Sequence, residues 1–521
     1  MSKTVTRREL LHATLGAGIA ASWPFVILAS TPRFAAYPFA LGISSGYPTD
    51  RSIVLHTRLA TDPLAPDGLA GMPPEDVPLR WELARDDRFR RIVASGEIAA
   101  QARLGHSARV EVLRLQPARD YFYRFIAGGE VSATGRTRTL PSPDREPRDF
   151  RMVLASCQHY EHGHWAAYRH IAASPPELLV HLGDYIYEGA ATLNRIRAHA
   201  GGECHGLVEY RRRYAQYRSD PALQAAHAAV PWITTWDDHE VANDYSGVHS
   251  GRSQDPQLFF ARRAAAYQAY FENLPLPPSA APVDGTVALY TSRRIGHLAN
   301  LFMLDQRQYR SAQPCPLPGR AGGNRIAEDC ADLRDESRTM LGAAQETWLE
   351  EGISRAKDGR WNLLAQGTLV SYMDELSGEG RQFGGDSWNG YPAARRHLLD
   401  MLQRRRVLNP VIFTGDMHAF MAGNIGTVPG DPRSKPLATE IVATSVSSDP
   451  RPQQQLDGWT QENPNLLLAD GRHRGYVSVR LSPRRLQADL MAVESRDDPA
   501  SSQRILHSLI VESGRPELQR G

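Results

Sequence analysis

From about residue 150 onward the chain repeats one device. An apolar run with no wet face halts at a residue able to bind a metal or carry a proton. The runs are FRMVLASC, ELLVHLGD, WITTWDDHE, LANLFMLDQRQ, WNLLAQGT and NPVIFTGDMH, separated by segments with helical spacing such as HWAAYRHIAAS. Strands buried on both faces and alternating with helices specify an α/β domain. Near the end, GYVSVRLS and RLQADLMAV read as a closing antiparallel hairpin.

Upstream the rhythm is different. SIVLHTRLA, VPLRWELARD, SARVEVLRL and DYFYRFIAGG are short and alternating, with Asp, Pro and Gly turns between them. This pattern predicts an antiparallel β-sandwich. The polar stretch RTRTLPSPDREPRDF follows as a linker. The expected organisation is a β-sandwich over residues 37–140, an α/β domain over 150–497 and a C-terminal tail over 498–521. A length of 521 residues suits two domains and a sizeable core. Lys and Arg number 60 against 58 for Asp and Glu, which gives no reason to expect a polyanionic partner or a nucleic-acid-binding module.

Residues 1–36 stand apart. Arg7 and Arg8 precede a stretch with no charge after Glu9, close to a twin-arginine export signal read by the export machinery. A membrane span is the rival reading, because the uncharged run approaches the roughly 20 residues that one needs. Its Gly and Ala content favours export, to a periplasmic or extracellular location. Proteins exported this way fold first, often around a metal. In an oxidising compartment, Cys315 and Cys330 are placed to pin the Pro/Gly-rich loop between them, whereas Cys157 ends a strand elsewhere.

The strand ends carry the chemistry. They read Ser156-Cys157-Gln158, Gly183-Asp184, Asp237-Asp238-His239-Glu240, Asp305, Gln366 and Gly415-Asp416-Met417-His418. Sites in α/β folds gather at the carboxyl ends of strands. One Gly-Asp is more often a turn than a ligand; a whole series of such ends reverses that expectation. Hydrolysis of a phosphoester without a covalent intermediate calls for two metals that activate water and neutralise charge. Thiolate and phenolate suit ferric iron, and oxygen donors suit calcium or magnesium. Cys, Asp, Tyr, Asp, Asp and His therefore fit a mixed pair of metals better than a zinc site. Read alone, Cys157 beside Gln158 at a strand end favours a ligand over a small buried hydrophobe, while Tyr187 is equally core.

With these motifs on the page, the chain resembles the calcineurin-type metallophosphoesterases. More narrowly it resembles the alkaline phosphatase D (PhoD-like) family, from about Phe39 to about Glu494. The motifs are ASCQ, HLGDYIYE, TWDDHEVANDY and FTGDMH, with LGISSGYPTDRSIVLHTRLA, RTMLGAAQETWL, EIVATSVSSDP and RGYVSVRLS. The resemblance implies an α/β (α+β) fold: an N-terminal β-sandwich, then a metallophosphoesterase α/β sandwich with two central sheets flanked by helices. It implies that Cys157, Asp184, Tyr187 and His418 hold Fe3+. Asp184 bridges to a second site built by Asp238 and Asp416, usually for Ca2+, with Asn243 a further ligand. His239 stabilises the transition state or protonates the leaving group. Tyr185 is left to packing, and Glu188 to hydrogen-bonding a ligand. The resemblance gives His159, His162 and His164 no ligand role, and they read as an exposed loop and helix start near substrate. Arg211, Arg212 and Arg213 read as a solvated helix face from which one could orient phosphate. Tyr47, His56 and Gly367 depart from the family pattern, and Gly367 leaves the second metal's coordination open.

The implied function is an exported, metal-dependent hydrolase of phosphomonoesters and phosphodiesters, acting by direct attack of a metal-bound hydroxide. Expected substrates are small phosphoesters, with phospholipid or a wall polymer as larger ones. A phospholipase D-type phosphodiesterase and, from another class, a non-catalytic envelope-binding protein are the alternatives.

Overall fold

The computed structural model describes residues 32–252, 255–356, 359–431 and 433–521. Three parallel strands, Phe150–Ala155, Leu178–His181 and Trp232–Thr234, form the middle of a ten-stranded sheet. The second sheet has seven strands, with Ala299–Met303, Trp361–Ala365, Pro410–Thr414 and Pro436–Val442 parallel at its centre. Successive residues of a strand point to opposite faces. In the second sheet, Leu301, Leu363, Phe413 and Ile441 accordingly enter the core shared with Leu154, Val180 and Ile233 of the first. Their neighbours Phe302, Leu364 and Ile412 pack outward against the helices Ala343–Arg355 and Pro392–Arg404. The two sheets thus lie against each other with helices outside, as the apolar runs predict.

Local signals set the helix starts. Pro221–Ala229 and Pro256–Asn273 each begin on proline after an aspartate. Asp220 accepts from the amides of Ala222 and Leu223, and Asp255 from those of Gln257 and Leu258.

One expected boundary, the C-terminal tail, is corrected, and the sandwich shares a sheet with the α/β domain. The sandwich of residues 37–140 is not self-contained. One of its layers is a separate five-stranded sheet, which includes Val77–Ala84, Ile92–Ala100 and Asp120–Ala127. The other layer is Ile43–Gly46, Ile53–Arg58 and Ser107–Val112, and these strands continue the ten-stranded sheet through a parallel pairing with Trp232–Thr234. Ile53 and Leu55 face the sandwich core while Val54 faces the main core. The tail at 498–521 is also no tail. Gln503–Glu512 and Arg515–Arg520 pair onto the sheet's other end, burying Leu509, Val511 and Leu518. Charged side chains along these outer strands disguise them, as they commonly do at sheet edges.

Cys315 and Cys330 form a disulfide with Cα atoms 6.3 Å apart, and Cys157 and Cys204 are free and buried. The twin-arginine pair lies outside the described residues. Among the described residues no helix is long and apolar enough to cross a membrane.

Candidate metal centre

The carboxyl ends of strands from both sheets meet at one place. Single ligand atoms of Cys157, Asp184 and His418 lie within 4.8 Å of one another, and so do those of Asp184, Asp238 and His239. Asp184 belongs to both groups. The Tyr187 hydroxyl sits between the sheets, donating to Asp184 Oδ2 at 2.9 Å and standing 3.1 Å from His418 Nε2. Ser448 Oγ donates to the Tyr187 oxygen at 2.8 Å.

The backbone is bent to achieve this. Cys157, Asp184, Asp416 and His418 have φ values of 56°, 56°, 61° and 50°, in the left-handed region. Each such non-glycine residue costs about 1–3 kcal/mol and persists only where its surroundings enforce it. The glycines beside them answer to space. A Cβ on Gly183 would come within 2.6 Å of Asp237, and one on Gly415 within 2.9 Å of Ser156. Gly367 has the same explanation, since a Cβ there would stand 2.3 Å from Gln306 Nε2 and 2.7 Å from the Asp237 carboxylate.

The donors fit cations. Burial, with Asp184 alongside, pushes the Cys157 thiol well above its ordinary range, and the same two causes raise Tyr187. Burial and neighbouring carboxylates raise Asp184 and Asp416 well above the usual aspartate range, against the opposing charges of His239 and Arg451. Asp184 Oδ1 is buried with no hydrogen-bond partner. A bound cation would let these acids ionise together. The His418 Nδ1–H donates to the Asp449 carbonyl at 3.0 Å, which leaves Nε2 with a lone pair facing the site.

Beside the donors stands a charged pair. His239 Nδ1 lies 2.7 Å from Glu188 Oε2, and Glu188 Oε1 accepts from the Asn243 amide at 2.7 Å. Burial opposes the charge on His239, but Glu188, Asp238 and Asp184 outweigh it and hold the imidazolium well above its ordinary range. Burial likewise opposes ionisation of Glu188, and His239 brings the carboxyl down to about 2. Glu188 thus orients His239 through this hydrogen bond. Glu240 ties the turns together, accepting from the amides of Asp184 at 3.1 Å, Tyr185 at 2.6 Å and Asp237 at 2.9 Å.

Other expected residues fall differently. Asn243 is exposed, and its side chain is spent on Asp244. It is Asp244 that joins Asp238 and Asp386 within 4.8 Å, and neither Asp244 nor Asp386 figures in the sequence reading. Asp416 stays outside these groups but shares a field with Asp237, Asp386 and Asp238. Asp237 turns away to Arg307 Nε at 2.5 Å and Gln306 Nε2 at 2.8 Å. Two strand ends have structural tasks: Asp305 accepts from Trp236 at 2.8 Å, and Gln366 from Trp388 at 3.0 Å.

His159 is not on an exposed loop; its ring stacks on His162 at 3.6 Å and tilts against Tyr187 at 4.2 Å. His162 Nδ1 accepts from the amide of Asp449, whose carbonyl fixes His418. Nor do Arg211 and Arg213 lie on a solvated face. Arg211 pairs with Glu272 at 2.6 Å, and buried Arg213 donates to the carbonyls of Tyr187, Gly189 and Gly202.

Comparison with known proteins agrees with this geometry. A family described as PhoD-like phosphatase matches residues 152–490, and one described as PhoD-like phosphatase, N-terminal domain, matches residues 26–141. Alkaline phosphatase D of Bacillus subtilis (strain 168) is 38% identical over 516 residues, which is 96% of this chain and 86% of that one. The solved structure of PhoD superimposes with a TM-score of 0.89 at 38% identity, over 94% of this chain and 93% of that one. The chain belongs to the PhoD-like phosphatase family and is a phosphoric ester hydrolase of the alkaline phosphatase D type.

Proposed function

We propose that this hydrolase is exported and metal-dependent, and that it cleaves phosphomonoesters and phosphodiesters by direct attack of water. The observation that carries the reading is the membership of Asp184 in two donor groups of unlike chemistry. Cys157, Tyr187 and His418 suit ferric iron, while Asp238 and Asp416 are hard oxygen donors suited to calcium, and Asp184 serves both. Such a pair of ions, when bound, supplies water activation and neutralises charge on the phosphoryl oxygens.

The chain's own residues do the rest. His239, kept protonated by Glu188, hands its proton to the departing alkoxide oxygen. Ser156 is fully buried against the Gly415 turn and presents no nucleophile, which favours a route without a phosphoenzyme. Small phosphoesters are the simplest substrates; phospholipid headgroups and wall-polymer phosphodiesters share the bond. Arg7 and Arg8 support twin-arginine export to the periplasm or exterior.

Metal analysis of exported protein, run beside assays on a nitrophenyl monoester and a bis(nitrophenyl) diester, tests the reading. Iron with calcium, and turnover of both esters, is expected. A calcium chelator should abolish turnover reversibly and leave iron in place. Protein that is metal-free yet active, or that retains configuration at a chiral phosphorus, would overturn it.

A further inference from the structure

The arginines around the centre are nearly all committed. Arg213 serves the Tyr187 loop, and Arg474 donates to the His418 carbonyl at 2.8 Å and to Ser445 Oγ at 2.7 Å. Arg307 and Arg310 are bound to Asp386, and Arg195 and Arg496 to Asp449, each at 2.8 Å.

Arg451 differs. Its Nε donates to the carbonyl of Met417 at 3.0 Å, within the turn that carries Asp416 and His418. Its guanidinium lies 5.6 Å from the ring of buried Trp459. Its positive charge acts on both Asp416 and His418. Neither terminal nitrogen has a hydrogen-bond partner among the described residues, and the side chain is only half buried. A guanidinium fixed at Nε, with two forked N–H groups free, is matched to a pair of phosphoryl oxygens.

We infer that Arg451 is a substrate-binding residue that grips the non-bridging oxygens of the phosphoryl group and favours monoesters over diesters. The inference rests on phosphoester hydrolysis at this centre. A monoester carries about one and a half to two negative charges at neutral pH, spread over three free oxygens. A diester carries one charge and has lost one of those oxygens to its second substituent. A fixed cation therefore gains more from the monoester.

The test compares Arg451→Ala and Arg451→Lys with wild type, all metal-loaded. Inorganic phosphate binding is measured by calorimetry, KM and kcat on a monoester and a bis-ester, and iron content by analysis. In Arg451→Ala, phosphate affinity should fall about 10- to 100-fold, the scale of a lost hydrogen bond to a charged group. Monoester KM should rise alongside, bis-ester KM should rise less, and iron should stay unchanged. Arg451→Lys should recover part of the phosphate affinity, since the charge remains without the fork. Unchanged phosphate affinity in Arg451→Ala, or equal loss on both esters with loss of iron, overturns the inference. Wild-type failure on both esters would instead sink the hydrolase reading, while phosphate calorimetry still decides on Arg451.

Discussion

The two halves of the centre hold their charges in opposite ways. Around Cys157, Tyr187 and His418 no cation pairs with the donor atoms themselves: their partners are the Ser448 hydroxyl, the Asp449 carbonyl and the Asp184 carboxylate. Burial, with Asp184 alongside, holds Cys157 and Tyr187 well above their ordinary ranges, so both would give up their protons only to a cation. Around Asp238, Asp244 and Asp386 the chain supplies its own cations. Arg307 pairs with Asp237 at 2.5 Å and with Asp386 at 2.6 Å, and Arg310 also pairs with Asp386. Burial opposes ionisation of Asp386, but these two arginines hold its carboxyl well below the usual range.

The contrast has consequences for pH. Loading the first half with a metal would release protons, so its affinity should rise with pH. Asp386 has a depressed folded pKa. Its contribution to stability is present above the ordinary aspartate value of about 3.9 and is lost as pH falls through its lower folded value. The first half would be completed by a cation, whereas in the second Asp386 is already paired while burial, with Asp386 and Asp238 alongside, lifts Asp244 to about 7.

Asp184 joins the halves, so its loss should do the most damage. Asp184→Asn should lower both metals' occupancy and cut kcat/KM by at least ~10⁴-fold, the scale of removing a member of a catalytic unit. Retention of both metals and most activity would separate the halves and break the comparison.

His239 comes next. His239→Ala should keep both metals while kcat falls ~10²–10⁴-fold. Metal loss matching that of Asp238→Ala would make the imidazole a ligand. Glu188→Gln should cost less, about 10- to 100-fold, as outer partners commonly do. Without the carboxylate the imidazolium pKa drops, so the alkaline limb of the pH–rate profile should move to lower pH. A limb that stays in place would detach Glu188 from the proton donor.

The smallest effect is expected at Asn243. Exposed and turned onto Asp244, it should tolerate alanine with a change of about 0.5 kcal/mol or less, read as stability and as calcium affinity. A large fall in calcium affinity would restore it as a ligand.

How much of this was legible follows from chain distance. Cys157, Asp184, Asp238, Asp416 and His418 all lie within a few residues of an apolar run, so strand ends brought them together, while Tyr187 needed the family resemblance. Asp386 sits in the polar loop GGDSWNG, far from any such run, and only folding brings it to Arg307 and Arg310. Glu188 and His239 are 51 residues apart, and no local pattern signals their pairing. Arg213 shows why charge runs mislead: inside RRR it looks solvated, yet it is buried against three backbone carbonyls. At the amino end, IVLHTR is buried along its whole length, which is the mark of a strand between two cores rather than at a sandwich surface. His56, an apparent oddity there, is buried and satisfied by Ser44 Oγ and the Glu272 carbonyl, each at 3.0 Å.

The central claim is that thiol, phenol and imidazole surround one metal that needs their charge. The most direct measurement is the visible absorption spectrum of the purified, exported enzyme, recorded with metal analysis for wild type, Cys157→Ser and Tyr187→Phe. Thiolate and phenolate on ferric iron each give charge-transfer bands. Wild type should therefore be coloured with one iron per chain, and each substitution should remove its own part of the spectrum. A colourless, fully active wild type, or a spectrum indifferent to both substitutions, would contradict the account.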